Sequence, residues 1–490
     1  MRFLRHLLLA SAAGLLLVGG AQAADLPTKK TPPAPPPTSC YASFWDWMNA
    51  SATDCPLTYG GFTVYGTIDM GAGYESHGVA WNNQYPTGVE ELISKNSQGG
   101  KWTVVPGGLS QSNVGIKMSE PLGSTGWNIV GNAQTGFDPY SLQLANGPGA
   151  MSQNSSLALP FQNGNGDSSR AGQWDNSLAY LGVSNATFGT LTFGREYSLT
   201  LDGVNAYDPM GGSYAFSPIG YSGKVGGAGS TEDTRPNTAF KYNVTFNNFR
   251  LSGLAQVGGY EQGNASNGEY ELGVGADLYG FSFDAIYTYI KDQVNLSTFN
   301  GVVAGAPPND LGATLSDNDS VMLLAKYTYG PVKFFGGYEY IKYMNPSDLY
   351  AGGFTSIGDY QVYGPKVNST AYTDNLNFQV FWLGAKYSIL SNLDVTGAYY
   401  HYNQANYDTN PGAHCGPNTV PPATGYAPQG TLKSDCAGTL DAVSGLIDWK
   451  PFKRLDVYAG LMYSQVNGGL ASGYLHTNNV DPTVGLRLQF

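Results

Sequence analysis

From Gly61 onward the sequence alternates with a period of two. Phe62, Val64, Ile68, Met70, Ala72 and Tyr74 take turns with Thr63, Tyr65, Thr67, Asp69, Gly71 and Gly73. Such alternation specifies a strand with one apolar face. The pattern persists to the last residue, where Val484, Leu486, Leu488 and Phe490 alternate with Thr483, Gly485, Arg487 and Gln489. Between these ends the spacing predicts fourteen more strands, at 109–120, 126–137, 176–185, 188–196, 236–246, 249–258, 269–278, 281–291, 318–329, 332–343, 375–388, 392–403, 438–450 and 455–466. Sixteen is an even number, as a closed antiparallel bacterial barrel requires. The connections alternate in length: Asn247-Asn248, Tyr279-Gly280, Gly330-Pro331 and Pro451 to Arg454 are tight turns, whereas 76–108, 138–175, 197–235, 292–317, 345–374 and 404–437 are long. The expected fold is therefore all-β, a 16-stranded antiparallel transmembrane barrel with short periplasmic turns and long outer loops. A soluble β-sandwich also alternates, but it buries one face of each sheet against the other and rarely carries such long loops or 35 tyrosines.

The amino terminus agrees with export. Arg2, Arg5 and His6 precede an apolar run from Leu7 to Val18 and a small-residue site, Ala21-Gln22-Ala23, which reads as a signal peptide cleaved near Ala23. A membrane anchor needs about 18 to 20 apolar residues. No later run reaches that length, so any membrane span must be a strand. Losing Arg2 and Arg5 takes the formal net charge from −12 to −14. That balance excludes a nucleic-acid binder. Charged residues are only 12% of the chain and aromatics 13%, a composition that also excludes a solvated disordered tail.

Residues 24–60 form a separate lead-in. Lys29 and Lys30 are followed by Pro32, Pro33, Pro35, Pro36 and Pro37, a periplasmic spacer of extended polyproline type. Tyr41 to Ala50 is predicted to form a short amphipathic helix closed by Cys40 and Cys55. A plug or a peptidoglycan contact is the functional reading of this lead-in; a capped start to the barrel is the simpler one. Four cysteines allow three pairings, and export favours disulfides. Local pairing, Cys40–Cys55 and Cys415–Cys436, is expected, because gaps of 15 and 21 residues do not suit a zinc site. Residues 61–490 are the expected barrel domain.

Four segments carry a resemblance: Phe62-Thr63-Val64-Tyr65-Gly66-Thr67-Ile68-Asp69, Phe188-Gly189-Thr190-Leu191-Thr192-Phe193-Gly194-Arg195, Ala206-Tyr207-Asp208-Pro209 and Val484-Gly485-Leu486-Arg487-Leu488-Gln489-Phe490. In order, over residues 61–490, they resemble the 16-stranded trimeric general-diffusion porins of Gram-negative bacteria, with Phe490 as the aromatic barrel terminus. The Ala24-Asp25-Leu26-Pro27 start and the Trp-rich lead-in are similar to an alphaproteobacterial branch. The resemblance implies a homotrimer in lipid and lipopolysaccharide, and a loop after the fifth strand that folds into the lumen and sets acidic groups against a basic wall. Opposed charges across a narrow lumen orient water and favour polar solutes.

The loop from about Tyr197 to Thr234 holds Asp202, Asp208, Glu232 and Asp233, with Glu196 at its start. A solvated acidic outer loop is the alternative. Parity places Lys117, Arg235 and Lys241 on the lumen wall. Arg195 alternates with Leu191 and Phe193 and so would meet lipid, which predicts that the chain turns inward there. Asp69, Asn113, Ser177, Asp277, Asp284 and Glu339 are the other lumen-facing residues expected. Asn113 and Ser177 stand where related porins tend to carry arginine, which makes strong anion selectivity doubtful and favours weak cation preference or near-neutrality.

Enzyme motifs are missing: the sequence has no Gly-x-Ser-x-Gly, His-Glu-x-x-His or Gly-x4-Gly-Lys, and His77, His401, His414 and His476 are scattered. No catalytic residue, cofactor or metal is expected; Asp310, Asp317, Asn318 and Asp319 lack the ligand spacing of an EF-hand. The reading is a passive channel for ions and small hydrophilic solutes. The alternatives are a porin selective for sugars or organic anions, with Tyr65, Tyr400, Tyr402 and Tyr458 as a stacking track, and a structural or adhesive surface barrel.

Overall fold

The computed structural model describes residues 40–78, Ile93, 99–105, 107–137, 139–140, Leu142, 177–219, 235–236, 238–257, 268–291, 312–314, 317–345, Ser347, 366–368, 374–407, 436–471 and 476–490. Sixteen strands wind antiparallel around one barrel: β1 (Phe62–Glu75), β2 (Asn113–Pro121), β3 (Trp127–Gly136), β4 (Ala179–Asn185), β5 (Gly189–Arg195), β6 (Ala239–Phe246), β7 (Phe249–Gln256), β8 (Glu269–Leu278), β9 (Phe281–Ile290), β10 (Asp317–Tyr329), β11 (Val332–Met344), β12 (Leu376–Leu390), β13 (Leu393–Gln404), β14 (Gly438–Phe452), β15 (Leu455–Gly468) and β16 (Asn478–Gln489). Each pairs with its successor, and β1 pairs with β16 from Thr67↔Gln489 to Gly73↔Thr483, so the sheet has no open edge. Phe490 completes the seam by exchanging backbone hydrogen bonds with Gly66, at 2.9 and 3.0 Å. A Cβ at position 66 would stand 2.6 Å from the Phe490 ring, so glycine there makes room for the aromatic terminus.

The barrel is apolar outside. Val64, Leu181, Leu272, Leu323, Leu383 and Val443 are exposed on the outer face, Leu383 at 66%. A surface like this is stable only against hydrocarbon. At the short-turn end the exposed rings of Phe188, Phe246, Phe249, Tyr279 and Tyr329 form a girdle, with Trp127 stacked on Phe188 at 5.9 Å. No described helix is long and apolar enough to cross a membrane.

Several details differ from the alternation reading. Segments expected as loops contain short strands: Lys101–Val105 extends the seam beside β1, and Gly312–Thr314 pairs in parallel with Lys366–Asn368. The β14–β15 turn is Lys453-Arg454, because an irregularity between Trp449 and Phe452 lets β14 run on through Pro451. Strand β4 starts at Ala179, so Ser177 precedes it. Asp317, Asn318 and Asp319 lie on β10 and not in a loop, with Asn318 on the face opposite the two aspartates; Asp310 is outside the described residues.

Residues 40–60 of the lead-in are folded. Cys40 and Cys55 form a disulfide around α1 (Phe44–Asn49), whose N-cap Ser43 accepts from the Asp46 amide. The loop is held by Arg454, in the β14–β15 turn: the guanidinium donates to the carbonyls of Trp47 (2.8 Å), Ser51 (3.2 Å) and Cys55 (2.7 Å) and lies 4.4 Å over the Trp47 ring. Cys436 is disulfide-bonded; Cys415 lies outside the described residues.

Candidate functional site

After β5 the chain turns into the barrel. Gly194 adopts φ +145°, a conformation open to glycine, and the Nε of Arg195 is buried, as an inward turn before the loop requires. Helix α2 (Leu199–Tyr207) follows, with Ser198 as N-cap accepting from the Leu201 amide at 3.1 Å. The buried carboxylate of Glu271 on β8 accepts from the Leu199 amide, one of the donors a helix start leaves unsatisfied.

The helix packs on the inner faces of β7 to β11. Leu199, Leu201 and Val204 are buried in one cluster with Leu254, Ile286, Met322 and Leu324 from the wall. Close approach depends on Gly203, where a Cβ would meet Leu324 at 2.7 Å and Ile286 at 2.9 Å. Parity alone assigns polar residues to the lumen; these apolar wall positions exist because the loop covers them.

Beyond α2 the chain crosses to the far wall. The Trp382 indole on β12 donates to the Tyr207 carbonyl at 3.1 Å. Tyr400 on β13 donates to Asp208 Oδ1 at 2.6 Å, while Asp208 also accepts from the amides of Met210 (3.3 Å) and Gly212 (2.8 Å). Phe216 meets the Tyr458 ring of β15 edge-on at 6.2 Å, and the Ala215 amide bonds the Gly108 carbonyl at 2.9 Å. Residues 107–112, which lead into β2, are held by Asp69 of β1: its carboxylate accepts from the Leu109 and Ser110 amides, each at 2.9 Å, and from Tyr458 at 2.6 Å.

The charged residues expected in the lumen are placed as follows. Lys241 donates to Asp202 at 2.5 Å and to the Tyr197 carbonyl at 2.8 Å, so this basic wall group and this acidic loop group touch rather than face each other across water. Arg235 stacks 5.3 Å from the Tyr197 ring. Glu196 is buried beside them; desolvation pushes its carboxyl above the usual range against the pull of Thr192 and Lys241. Asp208 is raised for the same first reason, burial, with the Tyr400 and Ser217 hydrogen bonds opposing it. Glu232 and Asp233 lie outside the described residues.

Asp277 and Asp284 both bind Arg250, Asp284 at 3.1 Å. Glu339 is buried and accepts from Ser320 at 2.8 Å; Ser177 is buried; Asn113 bonds the Gln111 carbonyl. On the opposite side the wall is uncovered. Lys117 is exposed, 5.6 Å over the Tyr65 ring, and Tyr65 donates to Asn132 at 2.6 Å. The stacking track is overturned: Tyr400, Tyr402 and Tyr458 are at most 2% exposed, sealed beneath the inward segments, and of the four only Tyr65 remains on the uncovered wall.

The sequence profile of the Gram-negative porins matches residues 10–469. The chain belongs to the Gram-negative porin family. An outer membrane porin protein of Bordetella pertussis is 24% identical over 377 residues, 69% of this chain and 88% of the relative. Among solved structures, an anion-selective porin from Comamonas acidovorans has a TM-score of 0.54 at 15% identity, covering 88% of this chain and 99% of its own. OmpT of Vibrio cholerae follows at 0.50 and 13%, covering 89% and 99%. With its lipid-facing surface and constricted lumen, this porin is a passive outer-membrane channel for ions and small hydrophilic solutes.

Sequence reasoning missed Glu271 and Arg250 as residues that shape the porin lumen, and took Tyr400 and Tyr458 for a solute track where they anchor Asp208 and Asp69. Alternation marks all four as inward-facing, but no local pattern tells a residue that lines water from one that anchors a loop.

Proposed function

We propose that solutes pass between the uncovered wall of β1 to β5 and the inward loop. The observation that carries this reading is the one-sided seat of the loop: residues 199–219 cover the wall from β7 to β15, while Lys117 on β2 remains exposed. The basic groups Lys117, Arg195, Arg235 and Lys241 then border the aperture with Glu196 and Asp202. Asp208 acts from behind, shaping the loop, and Glu232 and Asp233 complete its acidic edge. The Lys241–Asp202 contact cancels much of the local charge, which supports weak selectivity and the passage of both ion signs.

The porin works as a homotrimer in lipid and lipopolysaccharide, after loss of residues 1–23, and performs no catalysis. Residues 24–60 form its periplasmic lead-in, whose Pro-rich composition suits a spacer that contacts peptidoglycan. Planar-bilayer recording tests the channel reading. Conductance in steps of three and a small reversal potential in a salt gradient are expected; silence from folded, heat-modifiable protein overturns it.

A further inference from the structure

Three lysines that the constriction does not use sit together on the lumen face, on the short-turn side of α2. They are Lys326 on β10, Lys333 on β11 and Lys386 on β12. Burial parity fixes their direction: Met322 and Leu324, Phe335 and Glu339, and Val380 and Trp382 are the buried, inward residues of the same strands. Lys333 and Lys386 are direct register partners, and Lys326 lies diagonal to Lys333, since Thr328 is the residue opposite it. Directly opposed like charges destabilise a strand pair. An anion lodged between them removes that repulsion.

The surrounding charges leave the cluster positive. Asp277 and Asp284 are taken by Arg250, and Asp448 and Asp456 lie 3.7 and 3.6 Å from Lys450. Asp394 on β13 accepts from Ser388 at 2.6 Å. None of the three lysines has a carboxylate within ion-pair distance among the described residues. Lys326 is oriented instead by the end of α2: its Nζ lies 4.6 Å over the Tyr207 ring and donates to the Ala206 carbonyl at 3.3 Å. Lys333 is exposed to the lumen.

We propose that Lys326, Lys333 and Lys386 form a binding subsite for small multivalent oxyanions, phosphates or di- and tricarboxylates, directly beneath the constriction. The subsite rests on the reading of the barrel as a conducting channel. It holds an anion that has passed the loop and slows its exit, so a multivalent anion retards the flow of monovalent ones.

The test is bilayer recording in potassium chloride with inorganic phosphate or citrate added on the short-turn side. Saturable reduction of current is expected in the wild-type protein, with half-reduction needing about tenfold more anion in the Lys333→Gln/Lys386→Gln double variant. The Lys450→Gln variant, whose lysine is already balanced by Asp448 and Asp456, keeps the wild-type response. Reduction by phosphate alone assigns the site to phosphates, and by citrate alone to carboxylates. A conducting wild-type channel that neither anion retards overturns the subsite and leaves the channel reading intact. Equal loss of response in the Lys450 variant also overturns it, in favour of diffuse lumen charge. A silent wild-type protein instead removes the channel reading on which the subsite depends.

Discussion

Asp69 and Asp208 are both buried aspartates, and each accepts one hydrogen bond from a tyrosine on another strand and two from backbone amides, yet they hold different things together. Asp69 belongs to the wall. Its amide partners, Leu109 and Ser110, lie on a separate segment, and its tyrosine comes from β15, across the seam where the barrel closes. Asp208 belongs to the loop. Its amide partners, Met210 and Gly212, are two and four residues along the same chain, so only Tyr400 ties it to the wall. One carboxylate joins three distant pieces of barrel; the other folds its own turn and leans on the wall through a single bond. Asp69 thereby ties more separate segments together at the seam than Asp208 does at the constriction.

Removing Asp69 is the harshest way to break this comparison. Asp69→Ala deprives two amides and a tyrosine of their shared acceptor inside the barrel, and an unsatisfied buried donor costs about 1–3 kcal/mol. A loss of about 3–5 kcal/mol is expected, read as a lower urea midpoint for unfolding of the detergent-solubilised barrel. An unchanged midpoint would mean that the seam is held without it.

Tyr400→Phe strikes the fastening at the constriction. It deletes one hydrogen bond to a carboxylate and keeps the ring, a loss of about 1.5–3 kcal/mol, felt mainly by the loop. The unfolding midpoint should shift less than for Asp69→Ala, while open-channel current noise rises as the loop loosens. If Tyr400→Phe unfolds the barrel as readily as Asp69→Ala, the two aspartates are equivalent and the contrast fails.

Asp202→Asn is milder still. It keeps a hydrogen-bond acceptor for Lys241 but leaves that lysine's charge uncompensated within the lumen. The reversal potential in a salt gradient should move toward anions by an amount that salt screens, with no change in folding. A shift toward cations would place the Lys241–Asp202 pair outside the conducting path.

The asymmetry between wall and loop also marks what was legible in the sequence. Strand number, closure and lipid face follow from parity, because hydrocarbon enforces it at every outward position, as at Val64 or Leu383. The inward positions obey two masters, water and the loop. Tyr65 and Tyr400 are both inward by alternation, and the first stays on the uncovered wall while the second is sealed under Asp208. Nothing local to the pair announces that difference. Lys241 was identified from alternation alone; that it would touch Asp202 depends on where α2 docks, which is set by Ile286, Met322 and Leu324 on strands far along the chain. A site built by a loop crossing a barrel is a set of long-range contacts, and periodicity carries no information about those.

The finest test of the loop's fastening is its response to protons. Glu196 and Asp208 lie on the inward loop, outside the strands, and burial raises the carboxyl of each above its ordinary value. A carboxyl whose pKa is higher in the seated loop than in the released one takes up a proton more readily when seated. Its contribution to seating is therefore fully present below the pKa of the released, solvated group, about 4, and is lost as pH rises through the raised value. Acid should tighten the loop and neutral pH loosen it. Current noise at constant salt is accordingly expected to grow between pH 4 and pH 8, with the Asp208→Asn variant, which cannot ionise there, showing a shallower rise. Noise that is greatest in acid, or a pH response unaltered in that variant, would place the proton-sensitive step elsewhere in the barrel.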